Sequence, residues 1–286
     1  MSHITIGLLL AGFGHVMIVL ADTLSKYVQE DMAFLQVILA RQLIQFFLMG
    51  LLWKLFFAAK QKFVIPPIRS LQFVRNGLMV VMIFLYISSL KALDIGVAIS
   101  LLNTAPFFAL PFAVLLLKER VSATSILAVV IGFVGVLLIV QPGFESFQVE
   151  MLAVLAAAAI IGLYTIVSRK LASDMHPINF LCYQGAVLSI IYMPFAIVFW
   201  QPIPSELWGW LIVLSLLSCG FHLCFLTAIR HLEANRIAPL MYIEVIGGLF
   251  FGYLFFETVP NWLALCGIAV ITVAGLMMTL QKSRPS

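Results

Sequence analysis

The sequence predicts an all-α integral membrane protein, ten transmembrane helices arranged as two inverted five-helix repeats around a central cavity. Composition is the first reason. Of 286 residues, 63% are apolar and 10% are charged, with a mean hydropathy of +1.14, whereas soluble domains run near roughly 45–50% apolar and about 25% charged. A chain so poor in polar surface cannot shield itself from water by folding into a ball. The second reason is length: ten continuously apolar stretches of about 20 residues, the span of the hydrocarbon core, use nearly the whole chain. They are not alternating at period two, which excludes a β-barrel. The third reason is charge placement, which fixes the orientation below.

The first span, about 4–25, has no basic leader and no A-x-A site and contains Asp22, so it reads as an uncleaved helix. The second, about 33–53, carries Arg41 within it. Spans at about 71–90 and 95–117 follow, the latter ending at Lys118, Glu119 and Arg120, and the fifth is about 122–140. An outer linker at 141–148 leads to spans at about 149–168, 177–200, 207–229, 237–256 and 261–281, with a tail at 282–286. If the N-terminus is cytoplasmic, the inner connections hold Lys54, Lys60, Lys62, Arg69, Arg75, Lys118, Arg120, Arg169, Lys170, Arg230, Arg236, Lys282 and Arg284, thirteen of the sixteen Lys and Arg. Only Lys26 and Lys91 fall on the outer side. This bias places both termini in the cytoplasm, in a cell (inner) membrane, and supports an even number of spans. The tryptophans Trp53, Trp200, Trp208, Trp210 and Trp262 fall near span ends, as interfacial anchors do. The formal charge of +4 belongs to loops and gives no nucleic-acid-binding face. Cys182, Cys219, Cys224 and Cys266 lie in spans without a C-x-x-C pair, so neither zinc nor a structural disulfide is expected.

Residues 101–121 (LLNTAPFFALPFAVLLLKERV) and 239–259 (PLMYIEVIGGLFFGYLFFETV) share a layout. Each ends in an acidic residue, Glu119 or Glu257, and leads through a short turn into a glycine-bearing apolar span. This predicts one repeat over 1–140 and a second over 149–281. Five crossings per repeat invert the second copy, a common build of secondary transporters with a midplane site.

Several motifs, taken together, resemble one family. They are Asp22–Tyr27 (DTLSKY), Arg41, the stretch Pro106–Glu119, Ala238–Tyr242 (APLMY), Glu244, and Phe255–Glu257 (FFE) before Pro260. The chain resembles the drug/metabolite transporter superfamily in its EamA-type, ten-helix members. The resemblance implies helices of both halves around a central cavity, with the last helix of each half at the periphery. It also implies transport of amino acids or their derivatives, nucleoside-like compounds, vitamins such as riboflavin, or S-adenosylmethionine. Glu244 stands where the first half has Pro106, a departure from the generic proline pattern.

Ionisable groups inside spans are the candidate site, because an intramembrane charge costs on the order of 2.5–3.5 kcal/mol by insertion scales. Glu244 reads as a partner for a substrate amine, as a proton-coupling carboxyl, or as a helix tie. Arg41, with Gln45 one turn on, either holds a substrate carboxylate or phosphate or neutralises Glu244 or Asp22. His15, Asp22 and Lys26 share a stripe of the first helix, where Asp22 and Lys26, at i and i+4, also suit a local ion pair. His15 and His222 are either packed core histidines or site residues. Tyr86, Asn103, Tyr164, Tyr183, Gln184 and Tyr242 place uncharged polar tips inside spans, as cavity lining or helix–helix hydrogen bonds. Pro106, Pro111, Pro194 and Pro239 interrupt helices, as static kinks or hinges. Gly248 and Gly252 suit close helix packing.

Without a G-x-x-x-x-G-K-[ST] loop, the expected activity is secondary transport by alternating access, with Arg41 and Glu244 on opposite ends of a mixed-charge metabolite. The expected partners are the lipid bilayer, that small molecule, and a proton or an exchanged metabolite; no cofactor, metal or nucleic acid is expected. A channel and a non-transporting scaffold or sensor remain alternatives. An intramembrane enzyme would need an H-E-x-x-H, G-x-G-D or G-x-S-G motif, and the sequence has none of these.

Overall fold

The structure is a computed structural model that describes residues 3–57, 70–118, 121–170, 177–228 and 238–279. The described residues form α1 (His3–Val28), α2 (Phe34–Phe56), α3 (Ser70–Ser89), α4 (Ile95–Leu102), α5 (Ala105–Phe112), α6 (Ala123–Val140), α7 (Val149–Lys170), α8 (Pro177–Val198), α9 (Leu207–Ala228), α10 (Tyr242–Phe256) and α11 (Trp262–Thr279). No strand occurs among them. A π-helical turn, Ala113–Leu117, extends α5, and a 3-10 turn, Ala238–Met241, leads into α10. Lys60, Lys62, Arg69, Glu119, Arg120, Arg230, Arg236, Lys282 and Arg284 lie outside the described residues.

Seven helical segments among the described residues are long and apolar enough to cross a membrane: 5–28, 34–56, 95–116, 123–140, 149–168, 178–198 and 207–225. Three shorter apolar helices cover 73–89, 242–256 and 262–278. Large apolar side chains such as Phe13, Phe47, Phe73, Leu115 and Ile190 face outward, the arrangement lipid requires and water penalises. Trp53 lies in the last turn of α2, near the span end where it was expected. It is buried and stacks on Phe57, ring centroids 5.7 Å apart.

The expected single span at 95–117 is two helices. Pro106, in the first turn of α5, has no N–H to offer the carbonyl of Leu102, so the α4 ladder ends there. The side chains close the break locally: Asn103 Nδ2 donates to Ile99 O at 3.0 Å and Thr104 Oγ1 to Leu101 O at 2.6 Å. The expected span at 237–256 is likewise a 3-10 turn followed by α10. Pro111 and Pro194, by contrast, sit inside continuing helices.

Long-range packing pairs α1 with α9, α2 with α8, α3 with α7, α6 with α11 and α4 with α10. In addition, α1 packs on α10 and α7 on α4, while α2 packs on α9 and α3 on α8. α6 and α11 approach each other closely. A Cβ at Gly135 would lie 2.8 Å from Gly267 O, and one at Gly267 would lie 2.6 Å from Gly135 O, so only glycine lets these backbones meet. Gly248 meets α4 similarly, where its Cβ would lie 3.2 Å from Gly96 Cα. The two broken elements, α4 to α5 and the 3-10 turn to α10, are thus held side by side, with α1 against them.

Candidate functional site

α1 supplies the spine of the site. His15 and Asp22 are seven residues apart on it, nearly on one stripe and separated by about 10 Å of rise. His15 is 1% exposed, and its Nδ1 lies 2.6 Å from Glu244 Oε1. Glu244 sits in the first turn of α10, just after the 3-10 turn. Its other oxygen faces Asn103 Nδ2, at the α4–α5 break, at 3.5 Å. Phe221 and Phe225 of α9 pack against the imidazole, with ring centroids 5.6 Å and 6.2 Å away. His15 Nε2 is buried without a hydrogen-bond partner.

The second centre lies farther along α1. Arg41 Nη1 on α2 donates to Asp22 Oδ1 at 3.0 Å and to Ser25 Oγ at 3.2 Å, while Nη2 donates to Ser218 Oγ of α9 at 2.9 Å. Tyr86 on α3 donates its hydroxyl to Asp22 Oδ2 at 3.0 Å. Both carboxylate oxygens and both terminal nitrogens of the guanidinium are therefore occupied, joining α1, α2, α3 and α9 through one buried ion pair. Glu244 lies within electrostatic reach of Asp22 and Tyr86, which links the two centres. Among the described residues, Arg41–Asp22 is a salt bridge and His15–Glu244 is a histidine–carboxylate hydrogen bond.

The structure therefore joins six predicted residues, His15, Asp22, Arg41, Tyr86, Asn103 and Glu244. It corrects the local pair of Asp22 with Lys26. Asp22 is taken by Arg41, and Lys26 donates to Leu93 O and lies 5.1 Å from the ring centre of Phe256. The other candidates are elsewhere. Gln45 Nε2 donates to Leu181 O at 3.0 Å, a tie between α2 and α8. Gln184 is buried in α8. Tyr242 is buried at the start of α10, its hydroxyl over Gly275, where a Cβ would collide with it. His222 stacks beside Phe221 and feels the charge of Arg41. Tyr183 accepts from Asn76 Nδ2 at 3.5 Å, and Tyr164 lies with it near Arg75.

Sequence reasoning missed Ser25 and Ser218, hydroxyls that look like ordinary small residues of apolar helices. It also placed Arg75 in a connection, whereas Arg75 lies in α3 and is 6% exposed. Its position within the third apolar stretch was the available signal. A groove of about 860 Å³ lies apart from both centres between α2, α3 and α8 and is mainly apolar, with Phe34, Phe84, Tyr192, Phe195 and Trp200 on its walls.

Comparison with known proteins adds the family. The model of the EamA-like transporter family matches the chain twice, over residues 5–141 and 148–280. The pseudopaline exporter of Pseudomonas aeruginosa is 25% identical over 76% of this chain and 76% of its own. The riboflavin transporter of Brucella anthropi is 25% identical over 76% of this chain and 78% of its own. The S-adenosylmethionine uptake transporter of Rickettsia bellii is 26% identical over 63% of this chain and 62% of its own. One solved crystal structure superposes with a TM-score of 0.65 at 17% identity, covering 96% of this chain and 97% of that one, and so shares its fold.

Proposed function

As the chain belongs to the EamA-like transporter family, we propose that it is a secondary carrier of the cell (inner) membrane that moves a small organic metabolite by alternating access. It does so through ten spans, in two inverted halves over residues 1–140 and 149–281 joined by a linker at 141–148. Both termini, with the tail at 282–286, are cytoplasmic. Two facts support the inverted halves. The family model matches each half separately, and the helix pairing is unchanged when α1, α2, α3, α4–α5 and α6 are exchanged in order for α7, α8, α9, α10 and α11. The names of the relatives, all transporters of small metabolites, support the class of cargo.

The observation that carries the reading is the His15–Glu244 contact, a part-buried histidine–carboxylate hydrogen bond at two helix breaks. Broken helices near the middle of inverted repeats are where carriers bind cargo and coupling ions. Glu244 is the more available member of the network. One of its oxygens has only the long Asn103 contact, and its side chain is 16% exposed against 8% for Asp22. Glu244 accepts either the ammonium group of the cargo or a proton, and His15 is released or re-bound as it does so. Arg41, already held by Asp22, Ser25 and Ser218, is the tie whose rearrangement opens one side of the bundle, and Tyr86 steadies the Asp22 carboxylate. This assigns Arg41 to gating instead of to holding a cargo carboxylate.

The test is counterflow. Purified protein in liposomes loaded with a fractionated metabolite extract should exchange one component saturably, and Glu244→Gln should abolish the exchange in a folded protein. Full exchange by both Glu244→Gln and His15→Gln would remove the site. Absence of protein-dependent flux for every fraction, with and without a pH gradient, would remove the carrier.

A further inference from the structure

Beyond the two centres on α1, a third polar group lies on α3, α7 and α8. Arg75 is 6% exposed, and its Cζ stands 4.5 Å from the ring centre of Phe180. Among the described residues it pairs with no carboxylate, and its Nε has no acceptor. The polar groups around it are uncharged hydroxyls, which can donate as well as accept. Tyr164 and Tyr183 hold their phenols within electrostatic reach of the guanidinium. The Tyr183 oxygen already accepts from Asn76, which leaves its own hydrogen to give. Ser168, one turn from Tyr164 on the same face of α7, buries a hydroxyl that also lacks a partner.

A guanidinium stays charged at any physiological pH, and a buried charge without a counter-ion is strongly unfavourable. Phe180 offsets part of this through its ring face, but an aromatic face satisfies no N–H in the guanidinium plane. Among the described residues this group has no anionic acceptor, and a planar or tetrahedral oxyanion is the group that a guanidinium flanked by two phenols receives best. The location is separate from the ion pairs. Arg75 lies eleven residues from Tyr86 on α3, about 16 Å along the helix. Arg75 and Tyr183 are both near the starts of their helices and Tyr164 is near the end of its own, so the group sits at one end of the bundle.

We propose that Arg75, with Tyr164 and Tyr183, forms a second binding station that receives the carboxylate or phosphate group of the transported metabolite. The inference rests on the carrier reading and narrows it: the cargo is an organic compound bearing an oxyanion, which meets Arg75 at one end of the bundle and the Glu244 centre deeper in it. An anionic lipid headgroup offers the same chemistry, and the experiment separates the two.

The probe is benzoate against benzamide, two molecules of like shape that differ in the anion, added at constant ionic strength to protein in nanodiscs of zwitterionic lipid. Benzoate should raise the thermal midpoint saturably and benzamide should not. Arg75→Gln should weaken the apparent affinity by roughly ten- to a hundredfold, as expected for losing a hydrogen bond to a charged group. Arg75→Lys should retain part of it, and Tyr183→Phe serves as the variant that leaves all charges in place. Unchanged benzoate affinity in Arg75→Gln and Tyr183→Phe overturns the station. Loss of the benzoate effect in wild-type protein when the nanodiscs contain phosphatidylglycerol assigns the station to lipid and overturns the cargo assignment. The carrier reading stands or falls separately by counterflow: an Arg75-dependent benzoate shift with no flux removes the carrier and with it the cargo role, leaving an anion site, whereas saturable flux without that shift removes only the station.

Discussion

Arg41 and Arg75 bring the same charge into the bundle and meet opposite surroundings. Arg41 has a carboxylate and two hydroxyls, Asp22, Ser25 and Ser218, from α1 and α9. Arg75 has an aromatic face and phenols, and no carboxylate among the described residues. An arginine held by a carboxylate and two hydroxyls is a joint between helices. One that meets a ring and neutral hydroxyls, with no carboxylate among the described residues, is poised toward an anion. The comparison divides the polar interior into a part that holds the bundle and a part that addresses a ligand, and it is breakable by substitution.

The largest effect belongs to the joint. Arg41→Met leaves Asp22 buried with only Tyr86 for company, and removing one partner of a buried pair costs about 3–5 kcal/mol. The unfolding midpoint should fall sharply. Adding Asp22→Asn should restore most of the loss, since the orphaned charge goes with it. A double variant no more stable than the single one would show that Asp22 was not the partner that mattered.

Tyr86→Phe comes next. It deletes one hydroxyl donor to a carboxylate, a bond of roughly 1.5–3 kcal/mol, and leaves the Arg41 pair in place. Its destabilisation should shrink when Asp22 is already Asn, which a double-mutant cycle measures. Equal losses in both backgrounds would detach Tyr86 from the joint.

How far the sequence disclosed this division follows from what each pattern can report. Hydropathy and length gave the helices well: the expected span at 122–140 is α6 at Ala123–Val140, and that at 207–229 is α9 at Leu207–Ala228. Hydropathy is blind to a break inside an apolar run, so 95–117 read as one helix although Pro106 was there to end it. Ionisable residues inside spans announced His15, Asp22, Arg41 and Glu244 as individuals. Their pairing was not legible, because spacing along one helix reports only neighbours at i+3 and i+4. That is why Lys26 looked like the partner of Asp22, whereas Arg41 came from the next helix and His15 met a carboxylate 229 residues away. Arg75 was hidden by the rule that counts basic residues near span ends as loop charges, which five residues of depth in α3 is enough to defeat.

Arg75→Met should cost far less than Arg41→Met. It strands no carboxylate, and the loss of contact with Phe180 is worth about 0.5–2 kcal/mol, against which stands the relief of removing a buried unpaired charge. The expected change in midpoint is small and of either sign, and Met keeps much of the stem packing. A loss as large as that of Arg41→Met would mean that Arg75 is a joint after all, and the contrast between the two arginines would fail.

Tyr183→Phe should have the smallest effect on stability and sharpens the comparison most. Its hydroxyl accepts one long bond, 3.5 Å from Asn76, on a half-buried side chain, and a neutral bond of good geometry contributes only about 0.5–1.5 kcal/mol. The folded protein should hardly register its loss. If Tyr183 belongs to the ligand-facing part, benzoate affinity should nevertheless fall, because the donated hydrogen is spent on the anion and not on the fold. Tyr86→Phe should behave in reverse, lowering the midpoint while leaving benzoate affinity as it was. Measuring both variants for both properties therefore tests the division directly. Only a crossed result, stability lost at Tyr86 and anion affinity lost at Tyr183, keeps the two arginines in separate roles.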